Sequence, residues 1–404
     1  MFYRLSRGDD ASWAPTYFLA ALGAGGLAVS FFMWLMFWLP HPGAPVPLFG
    51  DALSALVGEG LLIKLAVVGA WVGIAMFSVL HIHLLVWNLR QYARFRSTAD
   101  YRELRNSNSE TQLLAGPLTV AMSINVGFVV GLTFVPGLWS VVEWLFPLAL
   151  LAFVLVGYWA LALLRDFWGR VLVGGGFDCV RNNNLGQLMP AFASAMIAVG
   201  LAAPAAMSQN TVTVAFSLVL SSFFMVLAFI IGGIQIVLGF RAMLEQGADP
   251  STAPSLWIVV PILTTLSITL LRQTHGLHGH FESGAGGVEA MTMLIIFLCA
   301  QLVFGLLGWV VLSRYGYFSR FVTGPEKSAG AYALVCPGVA LTVMLHFFIN
   351  VGLVGFGVLD RFSTGYWALT IIALGLQGVT IWLVLRLNRL HFGDFERDRT
   401  EEPL

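Results

Sequence analysis

Charge is what this chain has least of. Asp, Glu, Lys and Arg make up only 10% of its 404 residues, against about a quarter in soluble domains. An ordinary water-soluble domain is excluded, and the 58% hydrophobic content points to what stands in its place. The formal net charge is zero, so no basic surface argues for nucleic acid as a partner. Cysteine is sparse as well: Cys179, Cys299 and Cys336 are isolated thiols with no CxxC, and no structural disulfide is expected. Two arginines, Arg4 and Arg7, precede the first apolar run. That run is a full span long and lacks a small-residue cleavage site, so it is read as a retained helix.

Apolar runs fill most of the sequence. Runs of about 20 residues suffice to cross a bilayer, and ten are found near 15–39, 60–90, 114–135, 138–165, 187–207, 211–241, 254–272, 289–314, 332–356 and 364–389. The expected organisation is a cytoplasmic segment 1–14, a membrane domain 15–389 and a charged cytoplasmic tail 390–404. With the N-terminus inside, eighteen Arg and Lys residues fall on the cytoplasmic side, while Arg272 and Arg361 alone fall outside. That bias orients the chain with both termini in the cytoplasm, in a plasma (inner) membrane. Lys64, near the outer end of the second span, is placed to snorkel.

An internal repeat underlies the spans. Odd-numbered runs begin alike, as in GPLTVAMSINVG, MPAFASAMIAVG and CPGVALTVMLHFF. Pro15, Pro117 and Pro190 are each followed ten residues on by Gly25, Gly127 and Gly200. Pro261 and Pro337 keep the proline but have Leu271 and Phe347 at the glycine position. From Pro117 the prolines recur after 73, 71 and 76 residues, which is a repeat period. Short links around Pro136 and Gln209 join odd runs to even ones. The expectation is five helical hairpins in a pseudo-fivefold ring, with kinked, small-residue odd helices around a central pore and bulkier even helices outside.

Positions four and eight residues past each repeat proline lie on nearly one helical face. They are Ala121 and Asn125, Ser194 and Ala198, Thr265 and Thr269, and Leu341 and Leu345. As a pore lining this face is small and free of carboxylates, and its hydroxyls and amide would replace part of an anion's hydration shell. The opposite reading is that Ser and Thr bond back to their own helices. His346 is the one histidine on an odd helix well inside the apolar run, and is a candidate pH-sensitive pore residue. His81 and His83, two apart, point to different sides of the second helix.

One polar stretch stands apart. RQTHGLHGHFES places His275, His278, His280 and Glu282 just past the seventh run. Read as a glycine-rich external loop, it is a metal site of HxxHxH spacing, with Glu289 or His41 as further donors, a pH-responsive vestibule, or plain solvated loop.

Ten spans, proline-bearing odd helices and the AYALVCPGVAL stretch of the ninth make the region from Pro15 to about Arg389 resemble the tellurite-resistance/dicarboxylate transporter family. The resemblance implies a homotrimer in the lipid bilayer with one pore per protomer, passing small inorganic or organic anions. In that family a phenylalanine near the ninth-helix proline blocks the pore. Here Cys336 precedes Pro337, and the nearest aromatic residues are Tyr332 before it and Phe347 and Phe348 beyond. The alternatives are proton-coupled export of an oxyanion or dicarboxylate such as sulfite, tellurite or malate, or a histidine-rich membrane metalloprotein. No helix carries a histidine pair placed to bind haem, so neither a cofactor nor an enzymatic activity is expected.

Overall fold

A computed structural model describes residues 13–281 and 287–392. Ten helices are long and apolar enough to cross a membrane: α1 (Pro15–Trp38), α2 (Leu61–Phe95), α3 (Asn108–Phe134), α4 (Leu138–Gly174), α5 (Gly186–Met207), α6 (Thr211–Gln246), α7 (Ala253–Gly279), α8 (Glu289–Arg314), α9 (Ala329–Val354) and α10 (Thr364–Phe392). Among the described residues every regular element is helical. In hydrocarbon each backbone N–H and C=O must find a partner within the protein, and a helix supplies one for all but its ends. The chain is a multi-pass membrane protein.

Burial separates the spans into two sets. In the most apolar window of each odd-numbered span 56–94% of the residues are buried within the protein, against 22–44% in the even-numbered ones. The even helices therefore carry the exposed apolar surface, with Phe216, Val219, Phe223 and Val226 along α6 as an example. Such a surface belongs against lipid. Each odd span packs on the even span that follows it, and contacts run from α1 to α3, α3 to α5, α5 to α7, α7 to α9 and α9 back to α1.

The repeat prolines do not kink these helices. Pro117, Pro190, Pro261 and Pro337 lie in the first turn of their α-helices, and Pro15 opens the 3-10 turn that starts α1. A 3-10 segment precedes the α-helical part of each odd span. Proline's missing N–H costs little there, and its fixed φ suits a helix start. At Gly25 the glycine position acts on packing instead. A Cβ at Gly25 would lie 2.7 Å from Met122 Cγ and 2.8 Å from His81 Nδ1, so the absent side chain lets α2 and α3 close on α1. His81 fills that gap: its Nδ1–H donates to Ala21 O at 2.7 Å, and Nε2 meets Ser123 Oγ at 2.8 Å. One buried imidazole thus ties three helices.

Several boundaries differ from the sequence reading. α2, α4 and α6 run past their terminal arginines to Phe95, Gly174 and Gln246, because long basic side chains can reach water from a continuing helix. An unexpected short helix, Phe49–Gly58, lies between α1 and α2. At the arginine-rich end, Glu110 is buried between Arg105 and Arg170, each 2.9 Å away, and Arg105 also meets Asp166 at 3.0 Å. Half-buried Lys64 reaches Val57 O at 3.3 Å.

Candidate functional site

The odd spans line a cavity of about 660 Å³. All five contribute to its wall, including Gly26 of α1, Asn125 of α3, Phe192 of α5, Thr265 of α7 and Val339 of α9. α4 also reaches it through Trp139, Val142, Phe146, Ala149 and Phe153, an exception to the expectation that even helices stay outside. Local sequence explains this. α5 is rich in alanine, and its helix is broken after Leu201 before restarting at Ala203. Gly200 lies just before the break, and a Cβ there would overlap the ring of Phe153. A thin α5 lets α4 side chains through.

A second, smaller cavity of about 70 Å³ lies among the first turns of the same five spans, with Thr16, Gln112, Met189, Ser255 and Ala333 in its wall. Phe192 and Cys336 line both cavities. They form the partition between them, and they are only 2% and 7% exposed.

The expected pore face is divided. Asn125, Thr265 and Cys336 line the large cavity, as do Gly200 and Pro261. Ala121, Ser194, Ala198, Thr269, Leu341 and His346 do not: all but the half-buried Leu341 are packed away from it. A helix in a tight bundle turns four- and eight-residue positions progressively around its axis, so one face cannot serve the cavity along its whole length. Nor do the hydroxyls offer themselves to a guest. Thr265 donates to Pro261 O or Ile262 O at 3.0 and 2.9 Å, Thr264 to Ala340 O at 3.1 Å and Thr269 to Thr265 O at 2.7 Å. His346 is fully buried, stacked on Phe37 at 6.3 Å between ring centroids and edge-on to Trp38. It is a core residue of α9.

The histidine stretch is not a loop over its first part. The α-helix of α7 extends over Val259–Phe281, so His275, His278 and His280 are helical positions. Gly276 permits this, since it is buried where a Cβ would press on the backbone of Ala205. On a helix His275 and His278 share a side while His280 is turned away. The side chain of His280 and all of Glu282 lie outside the described residues. Among the described residues no group of three His, Cys, Asp or Glu is placed to hold a metal ion. Both ring nitrogens of His41 face carbonyl oxygens, of Ala44 at 2.9 Å and Met36 at 3.0 Å.

Continuing α7 brings inside a residue that the sequence assigned to the external surface. Arg272 lines the large cavity with His275 one turn on. Its guanidinium donates to Val199 O at 2.6 Å. Among the described residues no Asp or Glu lines either cavity, and none forms an ion pair with Arg272. The polar and histidine-rich residues that follow Arg272 carry no signal that the helix continues past it. No protein-family model and no curated protein matches this chain.

Proposed function

We propose that the protein passes small anions across the membrane through a pore running inside each protomer. In this reading the five odd spans form a ring, the five hairpins surround it, and the path leads from the large cavity past Phe192 and Cys336 into the small one. The observation that carries it is that two cavities lined by the same five helices share Phe192 and Cys336 while no described carboxylate stands on either wall. A low-dielectric passage penalises ions of either sign; with no described carboxylate to offset that cost for a cation, the arginine on the wall favours negative ions. The cytoplasmic placement of both termini, a plasma-membrane location and a trimeric assembly belong to the same proposal.

Purified protein in liposomes provides the test. An electrogenic flux that follows the Nernst potential of one anion supports a channel, and strict dependence on a proton gradient would shift the reading to coupled export of an oxyanion or dicarboxylate. Cation flux, or no anion flux from well-folded protein, overturns both.

A further inference from the structure

We infer that Arg272 forms a binding site for one small, weakly hydrated monovalent anion, of the class of thiocyanate, nitrate or iodide, within the large cavity. The inference rests on the proposed passage of anions for its choice of ligand, but its geometry stands apart from any transport step. Half-buried Arg272 lies on the wall of a largely apolar cavity. Its bond to Val199 O fixes the guanidinium between α7 and α5. A guanidinium has five N–H donors, and a carbonyl takes up only part of that capacity. No described carboxylate neutralises the charge, so an anion is the partner that would relieve its burial.

The rest of the wall sets the class of anion. Thr264 and Thr265 spend their hydroxyl protons on main-chain carbonyls, and the Asn125 amide points one donor at Ala121 O, 3.3 Å away. Few donors are left to replace water around a strongly hydrated ion such as sulfate. One positive charge also balances only one negative charge, and a dianion would leave an uncompensated charge where Coulomb energies are large. Weakly hydrated monoanions lose least on entering and gain a bidentate face from the guanidinium. His275 stands one turn along the same wall and is exposed.

The test uses full-length protein in detergent at constant ionic strength, with sodium gluconate as the reference salt. Phenylglyoxal labelling of Arg272, followed by mass spectrometry, reads occupancy directly. Thiocyanate should slow labelling saturably, by about tenfold when its concentration is ten times its Kd, while sulfate and malate leave the rate unchanged. In parallel, thiocyanate should raise the thermal midpoint of the wild type and of Arg272→Lys but not of Arg272→Gln. The labelling arm needs no variant, so a misfolded Arg272→Gln protein does not blunt the test. Equal labelling in thiocyanate and gluconate, or protection by sulfate as strong as by thiocyanate, overturns the site. Liposome flux separates the two proposals: protection without flux removes the passage and keeps the site, whereas flux without protection removes the site and keeps the passage.

Discussion

The ring of Phe153 on α4 occupies the place where a side chain at Gly200 on α5 would begin. Gly127, at the equivalent repeat position of α3, has nothing within 4 Å of its missing Cβ and is exposed. The two glycines look alike in sequence and differ in consequence. Gly200→Ala should force Phe153 out of its seat and destabilise the protein by about 1–3 kcal/mol. Gly127→Ala should be neutral or stabilising by about 0.5–1 kcal/mol, as for other exposed helix glycines. Thermal midpoints in one detergent compare them, and equal shifts for the two variants would contradict the packing described.

His81 gives a second stability test, because its two ring nitrogens join α2 to Ala21 of α1 and Ser123 of α3. His81→Ala removes both bonds and leaves a void beside Gly25. The expected loss is about 1–2 kcal/mol for the interhelical bonds, with a further cavity cost. His81→Gln, which can still donate to the carbonyl, should recover part of it. An unchanged midpoint in His81→Ala would mean that the three helices are held together by packing alone.

How far these features could be read from sequence depends on the signal each one leaves. Ten spans were legible as apolar runs long enough to cross a bilayer, and the small-residue odd members because Pro117, Pro190, Pro261 and Pro337 recur at a regular period. What the prolines do was not: near an apolar run they suggest kinks, whereas in a first turn they merely open a helix. An arginine that closes an apolar run resembles a helix end even where the helix continues, and Arg272 is such a residue. The partition was invisible for another reason. Phe192 is one of 31 phenylalanines, and nothing local distinguishes a side chain facing a cavity from one packed in the core. Cys336 was found through its position beside Pro337, not through its own chemistry.

Phe192 is the larger half of the partition, so shortening it should widen the path. Phe192→Leu should raise anion flux in liposomes above the wild-type value while retaining most of the fold. Phe192→Ala should raise it further, at a stability cost of about 3–5 kcal/mol typical of emptying a buried aromatic site. Flux is therefore normalised to folded protein, measured by monodisperse yield. If both variants fold and neither raises flux, the aromatic ring is not the barrier, and the route would have to pass elsewhere.

Cys336 lines both cavities as Phe192 does, and enlarging it should have the opposite effect. Cys336→Phe adds a second ring to a narrow, apolar constriction, which both narrows it and favours its losing water; flux should fall. Cys336→Ala should change flux little, since the thiol contributes bulk and no charge. Overpacking costs about 1–3 kcal/mol in a filled core, so yield and thermal midpoint must be followed with flux. The open cavity on either side of Cys336 predicts the lower end of that range, because a phenyl ring has somewhere to go. A Cys336→Phe protein with near wild-type stability and reduced flux supports the route between the two cavities, while one equally stable with unchanged flux rejects it.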